Sequence, residues 1–328
     1  MQPIRRGYEM NFESDMEHDA RLLDTAEIRR ILLDRISAIL GDLSEYHLPD
    51  LKLRLTKRTS PTSPTPYQYE PSLAVVISGR KQVVLGSSAH VHDESLFLLT
   101  AVNLPTITHV PQASPEAPYV AMLWSLDLVA AKQLISEMDM DENLSVSGTA
   151  MSVGPAGRPL LDIFRRLLEL HDDAGDTRIL CDLFQREMLY RVFVSPAGAR
   201  LRQIVRLGTQ SNRVVRAVNW LRQNFRAPLH VGELAQISGM GVSTLHHHFR
   251  LLTSMSPLQF QKHLRLHEAR RILLTEESDA GNAAIQVGYE SVTQFNREYR
   301  RLFGEPPIRN VRALRSSALQ AAAPIGVI

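Results

Sequence analysis

The chain has 328 residues, 44% of them hydrophobic and 22% charged, with a formal net charge of +2. That balance describes an ordinary soluble globular protein with room for two domains, each with its own core. The one cysteine, Cys181, excludes an internal disulfide and, inside the apolar run ILCDLFQREMLY, reads as a small buried hydrophobe. No apolar run approaches the roughly 20 residues of a membrane span, and the acidic N-terminus lacks the apolar core of a signal peptide. The expected location is the cytoplasm, with no membrane partner.

Charge is unevenly placed. Before Pro196 there are 19 basic and 27 acidic residues, and from Pro196 onward 18 basic and 8 acidic. No Asp or Glu occurs between Pro196 and Gly232, whereas Arg200, Arg202, Arg206, Arg213, Arg216, Arg222 and Arg226 all do. This asymmetry points to an acidic sensing or assembly half and a basic half that meets a polyanion.

In chain order, residues 1–20 are polar and are expected to be disordered. Ile28, Ile31, Leu32, Ile36 and Ile39 recur at helical spacing over Leu22–Leu40, and Gly41 ends that helix. LKLRLTKR at 51–58 alternates as a strand does, and the Pro- and Thr-rich TSPTSPTPYQYEP reads as a loop. LAVVISG and RKQVVLG then suggest a hairpin. SLFLLT, PTITHV and YVAMLWSL follow as further short strands, which suits a small antiparallel barrel of cupin-like type enclosing a ligand cavity. Asp127 is placed to cap a helix over LVAAKQLISEM, and 139–159 reads as a loop. Leu160–Leu170 and Thr177–Val194 are amphipathic helices suited to a homodimer interface. The domain reading is therefore a sensing and dimerisation domain over 21–195, a basic linker over 196–212, an all-α domain over 213–315 and an uncharged tail over 316–328. The fold class is α+β.

The all-α domain contains one pattern twice, a short amphipathic helix, a Gly-centred turn and a second helix with a polar outer face. In the first copy Val231, Leu234, Ala235 and Ile237 precede Gly239, and Leu245, Phe249 and Leu252 form the next buried stripe. In the second, Ala284 and Val287 precede Gly288, followed by Phe295, Tyr299 and Leu302. Between them a helix over Pro257–Leu274, with Ser256 as N-cap and Pro257 at its first position, makes a rod of about 27 Å. Two such units in one domain suggest paired major-groove readers.

Over Val214–Leu314 the chain resembles the AraC/XylS family of bacterial transcription regulators. The resemblance rests on ELAQISGM, STLHHHF, MSPLQFQKHLRLHEARRILL and VGYESVTQFNREYRRLFGEPP, in this order and spacing. YEPSLAVVISGRKQVVLG and SPAGARLRQI are similar to the effector-binding part of one subgroup. The resemblance implies a one-component regulator of promoter DNA, not an enzyme, controlled by a small-molecule effector, with RNA polymerase as a further candidate partner. It also implies that effector binding shifts the linker around Gly198–Gly208. Its base-reading positions match Ser243, His246 and His247 in the first unit and Thr293, Asn296 and Arg297 in the second. Arg297 is the candidate for a bidentate guanine contact and Asn296 for an adenine contact. Thr244, Arg250, Ser291 and Arg300 are the phosphate candidates. The chain departs from the family pattern at Ala280, Gly281 and Ala283, and this predicts a loosely packed first helix in the second unit. Gly costs roughly 1 kcal/mol against Ala inside a helix.

Other residues suggest competing chemistry. His246, His247 and His248 point about 100° apart on a helix and cannot face one ion. His90, His92 and His109 lie on neighbouring predicted strands, and as a metal site they would make the chain a metal-dependent cupin-like enzyme with a DNA-binding appendage. The preferred reading has no metal and no cofactor. Tyr67, Tyr69, Trp124, His90 and His92 are candidate effector-pocket residues. Asn143–Gly148 and Arg202–Arg206 resemble pieces of a cyclic-dinucleotide motif in reversed order, which we read as coincidence.

Overall fold

The computed structural model describes residues 24–86, 88–138, 148–171, 177–206, 208–276 and 278–322. The expected disordered N-terminus, residues 323–328 of the tail and Asn143–Ser147 lie outside them. The first helix, α1 (Thr25–Leu40), is capped by Asp24, whose carboxylate accepts the Glu27 N–H at 2.7 Å. Its buried stripe is Ile28, Leu32, Ile36 and Leu40, one residue per turn, and Gly41 leaves the helix at φ 51°.

Among the described residues ten strands follow: β1 (Glu45–Leu48), β2 (Leu53–Arg58), β3 (Thr65–Tyr69), β4 (Ser72–Ser78), β5 (Arg80–Leu85), β6 (Ser88–Asp93), β7 (Leu96–Thr100), β8 (Leu104–His109), β9 (Tyr119–Ser125) and β10 (Met151–Pro155). They form two antiparallel sheets, one ordered β1-β2-β9-β4-β7-β10 and the other β3-β8-β5-β6. The expected barrel is thus a pair of facing sheets rather than a closed ring.

Three local expectations are corrected. The Pro- and Thr-rich loop contains β3, which pairs with β8 through Tyr67↔Thr106 and Tyr69↔Leu104. The anticipated β4–β5 hairpin does not form, because both edges of β4 are taken by β7 and β9. At Gly79 (φ +85°) the chain crosses to the other sheet, with the Gly79 N–H on the Glu94 carboxylate at 3.0 Å. A Cβ there would stand 3.2 Å from the Tyr119 Cα. Finally, the stretch expected as a loop contributes β10, zipped to β7.

Helices α2 (Leu128–Glu137), α3 (Arg158–Glu169) and α4 (Thr177–Val194) complete this domain. Asp127 caps α2 as expected, accepting the Val129 and Ala130 N–H groups. Cys181 is buried and its thiol donates to the Asp50 carbonyl at 3.4 Å. The expected linker is helical over Gly198–Val205 (α5), with Leu201, Ile204 and Val205 buried. A Cβ on Gly198 would fall 2.0 Å from the Val192 carbonyl oxygen, so the turn into α5 admits only glycine.

The C-terminal helices are α6 (Gln210–Asn224), α7 (Val231–Ser238), α8 (Val242–Thr253), α9 (Pro257–Thr275), α10 (Ala280–Gln286), α11 (Val292–Phe303) and α12 (Pro307–Ala322). The first helix-turn-helix unit, α7–α8, shares one continuous hydrophobic core with the sheets. The second, α10–α11, has its own core, and Phe225 packs against both.

Candidate DNA-reading faces and effector cavity

Each reader is a helix pair set by a left-handed glycine. Gly239 (φ 66°) ends α7 and lies beside Arg216, while Gly288 (φ 91°) ends the turn after α10. On α8, Leu245 and Phe249 are fully buried, and Ser243, Thr244, His246, His247 and Arg250 are exposed on the opposite side. His248 is half-buried beside His247, at 5.1 Å between rings. On α11, Phe295 and Tyr299 are fully buried and Ser291, Thr293, Asn296, Arg297 and Arg300 are exposed. All ten residues expected to meet DNA therefore lie on the outer faces.

The rod between the units is α9. Ser256 and Gln259 make a reciprocal capping box at its start, with Pro257 in the first turn. Arg265, midway along it, donates to the carbonyls of Phe225 (2.6 Å), Gly288 (2.7 Å) and Ala227 (2.9 Å), which seats the second turn on the end of α6. Glu298 on α11 accepts from Lys262 at 2.6 Å, Tyr289 at 2.8 Å and Gln294 at 3.1 Å. These two hubs were not anticipated from the sequence. The expected looseness of α10 is not observed. Ala283 and Ala284 are fully buried, and Gly281 occupies the first turn, where a Cβ would come 3.2 Å from the Asp279 cap.

Between the two sheets lies a cavity of about 250 Å³. Tyr67 and Tyr69 of β3, His92 of β6 and His109 of β8 line it as the sequence suggested or allowed. Arg54, Arg58 and Lys81, which sequence reasoning passed over, line it too, with Glu45, Tyr119, Ala121 and Leu123. Alternation explains the one misplaced aromatic. Trp124 pairs with Leu53 and Leu73, on the opposite face of its sheet from the cavity-lining Leu123, and is fully buried there. His90 is two pairs beyond His92, opposite Val83, and does not line the cavity. Among the described residues no group of three or more His, Cys, Asp or Glu side chains is placed to hold a metal ion. Burial, with Lys81 directly opposite, lowers His92 to about 3. Arg202 is buried with its guanidinium on the Phe193 carbonyl, a structural role rather than an open ligand contact.

The two domains touch at several points. The Ala150 N–H donates to the Leu252 carbonyl at the end of α8 (2.8 Å), and Arg222 pairs with Glu70 at 3.7 Å. Helix α11 packs beside β3, and α9 beside β8.

Residues 50–200 match the family model for the AraC-type transcriptional regulator N-terminus, and residues 234–313 match a helix-turn-helix domain. The HTH-type transcriptional activator RhaS of Pectobacterium carotovorum is 28% identical over 100 residues, which is 30% of this chain and 36% of RhaS. The HTH-type transcriptional regulator CdhR of Pseudomonas aeruginosa is 25% identical over 198 residues, 60% of this chain and 55% of CdhR. The chain thus spans about a third to a half of these relatives. ToxT of Vibrio cholerae, solved with an unsaturated fatty acid bound, shares the fold at TM-score 0.52 and 10% identity, over 78% of this chain and 94% of ToxT. No described helix is long and apolar enough to cross a membrane. With both domains matched in the expected order, the chain belongs to the AraC family of transcriptional regulators.

Proposed function

We propose that the chain is a cytoplasmic, non-enzymatic regulator that binds promoter DNA as a homodimer, under control of a small molecule held between its sheets. The observation that carries this reading is the pair of outer faces on α8 and α11, hung from one rod. The 19 residues of α9 span about 28 Å at 1.5 Å each, near the roughly 34 Å repeat that separates successive major-groove segments. Ser243, His246, His247, Thr293, Asn296 and Arg297 then face base edges, and Thr244, Arg250, Ser291 and Arg300 face phosphates. RNA polymerase is the further partner such a protein would meet at a promoter.

A dimer is supported by α4 rather than by α3. Every apolar side chain of α3 from Leu160 to Leu168 is buried, whereas α4 exposes Ile179, Leu183, Tyr190 and Val194 along one stripe. Replacing Leu183 by Glu should convert the dimer to a monomer in light scattering, and an unchanged mass would remove α4 as the interface. For control, the route favoured here is direct. Tyr67 and Tyr69 wall the cavity from β3, and β3 is the strand beside α11. A ligand that moves β3 therefore acts on the second reader without passing through α5, which is packed helix. A fold neighbour solved with a bound small molecule supports a small-molecule effector for this chain.

The test is genome-wide mapping of bound sites with the native chain and two variants. Arg297→Ala should relax preference at one base pair, since a bidentate contact contributes about 1–3 kcal/mol of discrimination. Arg300→Ala should weaken all sequences alike and lower the salt dependence by about one phosphate contact. Unchanged sequence preference in Arg297→Ala would count against the reading.

A further inference from the structure

The inter-sheet cavity holds one cation that has no ion-pair partner among the described residues. Lys81 makes no hydrogen bond or ion pair among the described residues. Its ammonium faces the rings of Tyr67 and Tyr69 at 5.5 and 5.6 Å. The other two cations share one acid: Arg54 lies 3.5 Å and Arg58 3.6 Å from the Glu45 carboxylate, and Arg54 also donates to the Tyr67 hydroxyl at 2.8 Å. Directly across the strand pair from Lys81, His92 is 1% exposed, and neither of its ring nitrogens has a partner among the described residues. A buried ammonium without a counter-charge is costly, and so are buried polar atoms without hydrogen bonds. Apolar wall is supplied by Ala74, Val110, Ala121 and Leu123.

We propose that this cavity binds a small organic carboxylate, its anionic head on Lys81 and within reach of His92, its apolar body between the sheets. A single negative charge pairs Lys81, the one cavity cation with no acid beside it, and a neutral head would leave the ammonium unpaired. A phosphate ester's second charge would have only the Arg54–Glu45–Arg58 cluster to meet, where the guanidiniums already bond Tyr67, Ser44 and Lys57 besides the shared carboxylate. The cavity, at about 250 Å³, lies just under the roughly 300–1,000 Å³ of sites for drug-sized ligands, which fits a metabolite-sized acid. Burial that pulls Lys81 down to about 8 agrees with the missing counter-charge and leaves it protonated at neutral pH.

This inference rests on the cavity being the effector site, and the experiment separates the two. Calorimetry and thermal melting on the full chain would use hexanoate, benzoate and phenylacetate, each beside its amide, with phenyl phosphate as the dianion. At least one carboxylate is expected to bind and raise Tm, with its amide weaker by about tenfold or more, as a charge-assisted hydrogen bond implies. Lys81→Met should lose that binding and Lys81→Arg should keep it. An amide equal to its acid, a tighter phosphate ester, full carboxylate binding in folded Lys81→Met, or a panel in which no acid binds each overturns the proposal. If Lys81→Met does not fold, the acid–amide comparison on the native chain decides. DNA anisotropy with and without the bound acid reads the other question. Unchanged DNA affinity would defeat effector control while leaving the carboxylate site intact.

Discussion

His92 and Lys81 face one another across β5 and β6, and each is pushed toward its neutral form. For His92 the sign follows from its folded value of about 3 against the ordinary 6.5. The unfolded chain takes up the proton first, so the site is uncompromised above pH 6.5 and loses stability as pH falls from there toward 3. The loss is about 1.4 kcal/mol per pH unit, and chemical denaturation at pH 7.5 and 5 should show it shrinking in His92→Leu. Lys81 works in the other range. Facing it are Glu45 on β1, Arg54 and Arg58 on β2, Tyr67 and Tyr69 on β3, and His92 on β6; His109 and Tyr119 share the cavity. Carboxylate affinity should be flat up to about pH 8 and fall above it by up to about tenfold per unit. Lys81→Arg should push that fall to higher pH. The inward position of Lys81 was legible, because Val83 and Leu85 share its face at two-residue spacing and both are buried. It was overlooked because a lysine in a strand ordinarily marks the wet face. Trp124 was overweighted for the opposite reason: its size suggested a pocket, and only the register with Leu53 and Leu73 shows which face it occupies.

At the scale of elements, local signals that carry their own chemistry were read correctly. Ser256 and Pro257 announce the start of α9, and Gly239 and Gly288 announce the two turns. Signals that depend on which strand is already paired were not. Nothing within LAVVISG says that β7 and β9 occupy both its edges, so adjacency suggested a hairpin where the chain crosses between sheets. The Arg-rich 196–212 looked like a solvated connector, yet Arg200 and Arg202 are buried with their guanidiniums on the Gly148 and Phe193 carbonyls. The second turn offers the sharpest test. A Cβ on Gly288 would stand 2.1 Å from the Arg226 carbonyl oxygen, at a φ of +91° that disfavours any side chain. Gly288→Ala must therefore lift the α10–α11 unit off the end of α6, where Arg265 holds it. DNase footprints should shorten by about one helical turn per monomer, with the α8 contacts retained. A full-length footprint would show that the seat is not needed for DNA binding.

At the scale of the molecule, the two readers are held differently. The second unit has its own core, while the first is continuous with the sheets and pinned to them at the end of α8. There the Ala150 N–H bonds the Leu252 carbonyl, and Gly86 of the β5–β6 turn meets Ser254 so closely that a Cβ would lie 2.8 Å from the Ser254 Cβ. Separation of the domains must break this contact, so its closeness sets how readily the first reader can reorient. Gly86→Ala forces the turn and the helix end apart and adds the strain of a φ of +60°. Gly41→Ala supplies the control, because Gly41 has a similar φ of +51° with nothing within 4 Å of the added carbon. Both substitutions should cost about 1–3 kcal/mol from backbone strain. Gly86→Ala alone should speed hydrogen exchange across 250–256 and make DNA affinity less dependent on the bound acid. If the two variants behave alike, the contact between Gly86 and Ser254 is packing without consequence, and control must run through β3 and α11 alone.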